Sequence, residues 1–326
     1  MVIKMTLEMQ KLLSLSLETR QLLLTPLTNG ADHLFILCKD ASPVMASWLV
    51  RAFITMRKKA SLSIVVGNTN RHGISLSYHE GFCDLQRSVS SHTVLFIRDF
   101  SCGYYYGNFN LEENYYIWFK NDKPYTAFKA SAQFLQPDFF GGVTLLLEKT
   151  DVQKAKATYD SFEAESIYCQ HSEVQENITI YSDENYAQYM LDSYPEDTLR
   201  LSLLSRSGDV GTRSGLNWGQ RPGRNKNQAY IPLPIKHAHQ GFFPLDTKQF
   251  FVLTDDRKQL ILRVEQQNDK AITTPLNNSL LGEYFRNRLG KENGAYISRA
   301  DLERYGRTDV AFTKFDDEHF YMDYSV

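Results

Sequence analysis

The chain has 326 residues, which is enough for two ordinary domains at about 150 residues each. Its 36 Lys and Arg residues nearly balance 38 Asp and Glu residues, so a site for a polyanion must be a local patch. The 42% hydrophobic content excludes an intrinsically disordered protein, and no apolar run approaches the about 20 residues of a membrane span.

The N-terminal 24 residues predict a helix rather than a signal peptide. Four charged residues, Glu8, Lys11, Glu18 and Arg20, interrupt the apolar run that a signal peptide needs. We therefore expect a cytoplasmic protein, although the helix is also suited to docking on a partner chain. The cysteines lie at positions 38, 83, 102 and 169, without the close spacing of a zinc site. Reduced structural thiols and no metal or other cofactor are expected.

The first half of the chain alternates strand and helix patterns, which is typical of an α/β domain. Strands predicted at His33–Cys38 and Leu62–Val66 flank a helix predicted over Met45–Arg57, as in a parallel crossover unit. Further strands are predicted at Thr93–Ile97, Tyr104–Tyr106, Tyr115–Phe119, Tyr125–Phe128 and Val143–Glu148. A helix over Asp151–Glu165 closes this domain, predicted to span residues 1–168.

The second half, residues 169–326, has short strand patterns separated by polar turns, which favours a β sandwich or barrel. The segment Cys169–Asn177 is interpreted as the crossing between the domains. The predicted strands are Ile178–Tyr181, Leu199–Leu204, Ala229–Leu233, Phe250–Thr254 and Gln259–Glu265. Helices are predicted over Leu280–Leu289 and Arg299–Gly306, the latter ending on glycine.

The most informative stretch is Arg206–Pro234, between two predicted strands of the second half. This stretch contains several Arg and Lys residues but a single acid, Asp209. It also contains Trp218 and several Asn and Gln residues, interspersed with glycines. Arg and Lys neutralise phosphates, while Arg, Asn and Gln also recognise base edges, so this composition suits a nucleic acid. The alternative is a flexible basic loop, but Trp218 is a costly residue to expose and long loops are usually functional.

Several segments resemble the NgoFVII-type restriction endonuclease family over nearly the whole chain. They are GADHLFIL, ASPVMASWL, VVGNTNRHGIS, YYIWFKNDKPYTAFKASAQF, CQHSEVQENI and RSGLNWGQRPGRNKNQAYIPLP. The resemblance implies an N-terminal phospholipase-D-like nuclease domain and a C-terminal DNA-binding pseudobarrel, similar to plant B3 domains and to the metal-independent endonuclease BfiI. It also implies double-stranded DNA as partner, a homodimer through the N-terminal domain, and a helicase-like or methyltransferase protein as a further partner.

By this resemblance, two arms of the pseudobarrel clasp the duplex. One arm lies in the basic stretch and the other in the turn Thr254–Gln259. The predicted DNA contacts of the first arm are Arg213, Asn217, Trp218, Gln220, Arg221, Arg224, Asn225, Lys226, Asn227 and Gln228. Those of the second arm are Asp256, Arg257, Lys258 and Gln259.

The resemblance also shows that the nuclease motif is degenerate. Phospholipase-D-like nucleases use an HxK motif, in which the histidine attacks phosphorus and the lysine stabilises the charge of the phosphoryl group. These two positions fall on Glu112 and Asn114, and the downstream GSxN element survives only in Ala130–Gln133, with Ser131 and Gln133 at polar positions. The acidic position expected later falls near Leu145. A carboxylate repels phosphate, so we expect an inactive nuclease domain.

Two alternatives remain. One is an active metal-independent endonuclease with a different alignment or chemistry, and the other is a structural subunit whose degenerate domain dimerises. Other candidate groups are best explained without a catalytic role. His72, His79 and His92 are interpreted as loop or core histidines, and the paired acids Asp255–Asp256 and Asp316–Asp317 as solvated turns. The aromatic cluster of Tyr104–Tyr106 and Tyr115–Trp118 is interpreted as core. His237 and His239 have strand spacing but lack a third metal ligand nearby.

Overall fold

The computed structural model describes residues 2–91, 96–183, 191 and 198–326. The chain divides into two compact units, Met1–Asp183 and Glu184–Val326. Residues 169–183, assigned from sequence to the second domain, are part of the first unit. His92 and most of the predicted strand Thr93–Ile97 lie outside the described residues.

The first unit is built on a seven-stranded mixed sheet in the order β7-β6-β5-β1-β2-β4-β8. Strand β2 is parallel to β1 and β4, and the remaining neighbours are antiparallel. Strands β3 and β9 form a separate parallel pair. The strands are β1 His33–Cys38, β2 Ala60–Val66, β3 Ile74–Ser75, β4 Ile97–Tyr105, β5 Asn114–Lys120, β6 Lys123–Ala130, β7 Leu147–Thr150, β8 Ser166–Tyr168 and β9 Ile180–Tyr181.

Helices cover this sheet. They are α1 Val2–Leu13, α2 Leu17–Leu23, α3 Thr25–Thr28, α4 Pro43–Met56, α5 Thr69–His72, α6 Leu76–Ser90, α7 Gln136–Phe140, α8 Val152–Glu163 and α9 Val174–Asn177. Helix α4 begins where the Ser42 side chain accepts a hydrogen bond from the Met45 amide, and it ends at Arg57 in the left-handed region. These signals delimit the predicted crossover helix; helix α6 was not predicted.

The aromatic cluster of this unit is core as expected, except for Tyr106, which is 44% exposed. Tyr104, Tyr116 and Trp118 are fully buried, and the Trp118 indole donates a 2.8 Å hydrogen bond to the carbonyl of Leu22. The predicted strand Val143–Glu148 is wrong at its start, since strand β7 begins only at Leu147. Apolar character misled the prediction here, because Val143 is 68% exposed.

The second unit is a seven-stranded sheet in the order β10-β15-β16-β12-β13-β14-β11. Strands β12 and β16 are parallel and the other pairs are antiparallel. The edge strands β10 and β11 lie beside each other, so the sheet nearly closes into a barrel and the predicted pseudobarrel is confirmed. The strands are β10 Thr198–Ser202, β11 Ile231–Pro232, β12 Phe250–Thr254, β13 Gln259–Glu265, β14 Ala271–Thr273, β15 Asp309–Lys314 and β16 His319–Asp323.

Short helices and a shared apolar core complete this unit. The helices are α10 Ile235–Ala238, α11 Ser279–Arg288 and α12 Arg299–Tyr305, with 3-10 turns at Gly215–Gln220 and Gln267–Asp269. Helix α12 has a capping box between Ser298 and Asp301 and ends at Gly306 in the left-handed region, as its sequence predicts. Leu281 and Phe285 anchor α11 to the barrel core. Within the described ranges, no helix is long and apolar enough to cross a membrane.

Candidate nucleic-acid interface and candidate active site

The basic stretch is an ordered loop because several of its polar side chains are buried and hold its backbone. Asn217 is fully buried, and its amide nitrogen donates to the carbonyls of Ile297 at 2.7 Å and Gly211 at 3.2 Å. Its amide oxygen accepts from the Ile297 backbone amide at 2.9 Å. The Asn217 side chain is thereby used inside the domain, so we leave it out of the proposed DNA contacts.

Asn227 and Gln220 also bind the backbone. Asn227 is buried, accepts from the Gly294 amide at 2.6 Å and donates to the Glu283 carboxylate at 3.1 Å. Gln220 donates to the carbonyl of Gly294 at 3.0 Å. The loop is therefore attached to the segment after α11, and Asn227 is likewise left out of the proposed contacts, although the sequence suggested it.

Arg286 on α11 ties the two ends of the loop together. Its side chain is fully buried, and its hydrogen bonds go to backbone carbonyls. These are the carbonyls of Ala295 at 2.8 Å, Gly282 at 3.0 Å, Lys226 at 3.1 Å and Leu216 at 3.5 Å. Burial lowers the pKa of this guanidinium from its usual value. This role is not visible in the sequence, because Arg286 looks like an ordinary basic residue in the last turn of a helix.

Helix and loop approach each other closely at Gly282. A Cβ atom there would lie 1.7 Å from the carbonyl oxygen of Asn227, so only glycine fits. Within the loop, a Cβ on Gly219 would lie 2.2 Å from the carbonyl oxygen of Asn225. Both glycines are thus required for close backbone packing. From the sequence alone, a glycine required for packing looks the same as one that makes a loop flexible.

The outer face of the loop carries the charged residues. Arg213, Arg221, Arg224, Asn225 and Lys226 are exposed. The Arg221 Nε donates to the carbonyl of Arg213 at 2.8 Å, which fixes part of its side chain while the charge stays at the surface. The loop therefore presents a basic face on a rigid frame, as phosphate binding requires.

One arginine on this face is held in a defined orientation. The Arg224 guanidinium lies 4.2 Å from the ring centroid of Trp218, and its Nη1 donates to the Gln228 Oε1 at 3.0 Å. Trp218 in turn packs edge-on against Tyr230 at 5.8 Å between centroids. Stacking on an aromatic face and a side-chain hydrogen bond both reduce the freedom of the guanidinium before any ligand arrives.

The second predicted arm is the tight turn between β12 and β13. Arg257 stands in the left-handed region at φ 63°, and the Thr254 hydroxyl accepts from the Lys258 amide at 2.9 Å and donates to the Asp256 carboxylate at 2.6 Å. Asp256, Arg257 and Lys258 are exposed, and Gln259 is half-buried. The turn thus presents its side chains outward from a closed backbone.

This turn is fastened by Arg288 on α11. Its guanidinium contacts the Asp255 carboxylate at 2.7 Å and the Asp256 carboxylate at 3.1 Å. It also donates to the Tyr305 hydroxyl and, at 2.9 Å, to the carbonyl of Tyr324. The Asp255 side chain is only 11% exposed, so the expectation of a solvated acidic turn is wrong for this residue. It is half of a partly buried ion pair with Arg288.

In the first unit, three of the four degenerate nuclease positions line one pocket of 360 Å³. Glu112, Asn114 and Ser131 come together there, at the ends of β5 and β6. The lining residues are Lys39, Glu112, Glu113, Asn114, Lys129, Ala130, Ser131, Leu146, Leu147 and Glu148. Gln133 is not among them, and its backbone amide instead donates to Asp138 at 2.7 Å.

The polar groups of this pocket bind mainly to one another. Asn114 is buried, accepts from the Lys39 amide at 2.9 Å and donates to the carbonyl of Ala130 at 3.3 Å. The Ser131 hydroxyl accepts from the Leu146 amide at 3.0 Å. Lys129 forms an ion pair with Glu113, and its hydrogen bond lowers the pKa of that carboxyl. Among the described residues that line the pocket, none is a histidine.

The remaining candidates lie elsewhere. The His79 ring is hydrogen bonded to the buried Tyr104 hydroxyl at 3.2 Å, so it is a packing residue on α6. The strand spacing inferred for His237 and His239 is wrong, because α10 and its C-cap contain them. In the part of the chain that the structure describes, no three His, Cys, Asp or Glu side chains are arranged to hold a metal ion.

Family models match both units. Residues 16–176 match the NgoFVII restriction endonuclease N-terminal PLD domain, and residues 193–316 match the NgoFVII C-terminal B3-like DNA-binding domain. No curated protein matches the chain. The two matches together span most of the sequence and agree with the mixed α/β unit and the nearly closed barrel. The chain therefore belongs to the NgoFVII restriction endonuclease family.

Proposed function

We propose that the chain is a sequence-specific double-stranded DNA-binding protein whose nuclease domain is inactive. Recognition resides in the loop at residues 213–228 and the turn at residues 254–259, hereafter the loop arm and the turn arm. The proposed contacts are Arg213, Trp218, Gln220, Arg221, Arg224, Asn225, Lys226 and Gln228 on the loop arm, and Asp256, Arg257, Lys258 and Gln259 on the turn arm. We also propose that the protein acts in the cytoplasm.

The observation that carries this proposal is the orientation of Arg224 by Trp218 and Gln228. A guanidinium held in one plane is suited to a bidentate contact with the O6 and N7 atoms of guanine. Arg221 and Lys226, on the same exposed face, supply charge for phosphates. A loop with both kinds of group on a rigid backbone supports specific recognition rather than general attraction to polyanions.

The lack of nuclease activity is supported by the pocket. Glu112 takes the position that the resemblance gives to the nucleophilic histidine, and a carboxylate there opposes the approach of a phosphodiester. Asn114, at the lysine position, uses its amide to join the Lys39 amide to the Ala130 carbonyl. Neither residue supplies a nucleophile together with a positive charge.

A binding selection from random duplexes, at physiological salt, tests the recognition claim. We expect enrichment of one site, bound at least about a thousandfold more tightly than unrelated duplexes. Equal affinity for all duplexes would refute specific recognition. The slope of log affinity against log salt concentration, measured on unrelated duplexes, gives the number of phosphate contacts.

A second candidate function is metal-independent endonuclease activity, which the lysines in the pocket favour. Both Lys39 and Lys129 line it; Lys129 is paired with Glu113, and Lys39 carries charge that attracts a phosphodiester. Incubation of plasmid with the protein in EDTA decides between the two. We expect intact plasmid; reproducible double-strand cuts that disappear in a Lys129→Ala variant would establish the nuclease and end the proposal of inactivity.

We also propose a homodimer through the N-terminal domain, which makes a structural-subunit role the third candidate. Leu146, which lines the pocket, is 66% exposed, and Val143, three residues before it in the chain, is 68% exposed, so this segment offers apolar surface for a second copy. A helicase-like or methyltransferase partner is proposed from the family resemblance. Light scattering at micromolar concentration is expected to give the dimer mass, and a monomer mass would contradict the dimer.

A further inference from the structure

We infer that α11 sets the spacing between the loop arm and the turn arm, with Arg286 and Arg288 as the positioning residues. The inference rests on the proposed function, because it assumes that both arms contact one duplex. Its structural basis is that one short helix supplies the main side-chain attachments of both arms. Neither arginine is proposed to touch DNA.

The attachment of the loop arm has three parts on α11. Arg286 binds the carbonyls of Leu216 and Lys226, which stand at opposite ends of the exposed segment. Glu283 accepts from Asn227, and Gly282 lets the helix backbone meet the loop directly. These contacts are buried or partly buried, so a shift of the helix shifts the loop arm with it.

The attachment of the turn arm begins two residues further along. Arg288 forms ion pairs with Asp255 and Asp256, and the Asp255 carboxylate also accepts from the Tyr324 amide at 2.9 Å. The Tyr305 hydroxyl holds the other side of the guanidinium and donates to the Tyr324 carbonyl at 2.7 Å. The turn arm is thereby fixed to the end of the same helix.

The helix geometry explains how one element serves two arms. Residues two apart on an α-helix project about 200° from each other, so Arg286 and Arg288 reach in nearly opposite directions. The backbone between them is rigid because its hydrogen bonds lie within the helix. Since each base pair of a duplex adds about 3.4 Å, a fixed distance between the arms fixes how many base pairs separate the two groups of contacted bases.

The test uses the full-length protein and the site obtained by selection. Arg224→Ala and Arg257→Ala first identify the base pairs recognised by the loop arm and the turn arm. A duplex with one base pair inserted between these two groups is then compared with the selected site. We expect the wild-type protein to bind the inserted duplex at least about tenfold more weakly. The variants Arg288→Lys and Tyr305→Phe are expected to reduce this penalty to about threefold or less.

Tyr305→Phe is the more decisive variant because it removes one hydroxyl bound to Arg288 and leaves the turn arm itself intact. Arg304→Lys is the matched control, since Arg304 is 77% exposed and pairs with Asp301 on α12; it is expected to keep the full penalty. Thermal unfolding of every variant verifies folding, and Tyr305→Phe remains informative if Arg288→Lys does not fold.

The outcomes separate the inference from the function. Absence of any selected site contradicts the proposed function itself. A selected site with an unchanged insertion penalty in Tyr305→Phe overturns the role of α11 while leaving the function in place. A uniform loss of affinity for both duplexes also overturns it, because that result marks Arg288 and Tyr305 as residues of general stability only.

Discussion

The pocket of the first unit and the loop arm of the second show two uses of polar residues. In the pocket, Glu113 and Lys129 neutralise each other, and Asn114 and Ser131 bind nearby backbone groups. In the loop arm, Asn217 and Asn227 likewise bind the backbone, but the charged side chains remain at the surface. The difference is that the loop separates the residues that hold its shape from the charged residues that it leaves at the surface.

This separation is a criterion for recognising a binding surface. A site that must attract a phosphate needs cations that are positioned yet not neutralised. The loop satisfies this requirement with Arg221, whose contact is a neutral carbonyl, and with Arg224, whose contacts are an indole and an amide. In the pocket, the Lys129 ammonium is opposed by a carboxylate.

The largest effect is expected from Gly282→Ala. The added methyl group overlaps the Asn227 carbonyl, so the loop must move away from α11. We expect the free energy of unfolding of the C-terminal domain to fall by at least about 3 kcal/mol and specific binding to be lost. Gly103→Ala in the first unit is the control, since the nearest atom to its added Cβ, the Ser166 Cβ, lies at 3.4 Å, an ordinary van der Waals distance. Calorimetry and binding assays on the full chain give both quantities.

Two buried asparagines offer a direct comparison of the regions. Asn217→Ala and Asn114→Ala each leave backbone groups without their partner, so we expect each to lower the free energy of unfolding by about 2–3 kcal/mol. Only Asn217→Ala is expected to weaken binding to the selected site. Denaturant unfolding and fluorescence anisotropy measure the two effects. Weaker binding in Asn114→Ala would contradict the contrast, because it would connect the pocket to recognition.

Arg224→Ala tests the oriented guanidinium. We expect a loss of about 1–3 kcal/mol for the selected site and relaxed preference at one base pair. Arg221→Ala is the matched control on the same face, and it is expected to weaken binding to all duplexes and to lower the salt slope by about one. If both variants weaken all duplexes equally, Arg224 is a phosphate contact and another residue carries the discrimination.

The smallest effect concerns pH and the first unit. Burial lowers the pKa of His33 from 6.5 to about 4, and its Nε2 is hydrogen bonded to the Ser63 hydroxyl at 2.9 Å. The folded protein favours the neutral ring, so this contribution to stability is complete above pH 6.5 and is lost as the pH falls toward 4. The difference in melting temperature between wild type and His33→Gln is expected to shrink over this interval. A constant difference would contradict the assignment.

Apolar runs bounded by turns were predicted well from the sequence. Strands β1, β12 and β13 have the predicted bounds, because each is a short apolar run beside a clear turn signal. Helix α6 was missed because Gly81 and several serines interrupt its apolar pattern. Strands β15 and β16 were missed because each is short, and their stability comes from pairing with distant strands rather than from local pattern.

The candidate site was predicted in part. Sequence located the basic loop and the turn, because charge and glycine content are local properties. It did not distinguish Asn217, which is buried, from Asn225, which is exposed. The hydrogen-bond partner of the Asn217 side chain, Ile297, lies 80 positions further along the chain. Arg286 and Arg288 were missed for the same reason. Their partners become visible only when distant segments are brought together.

The attachment of Arg286 has a consequence for how specificity changes. All four of its acceptors are backbone carbonyls, so its hold on the loop is independent of which side chains the outer face carries. Residues such as Arg221, Arg224 and Lys226 are therefore exchangeable without loss of the frame. Under the proposed function, the loop is a template for engineering: we expect a library randomised at these outer positions, on an unchanged α11, to retain the fold while it samples new target sequences.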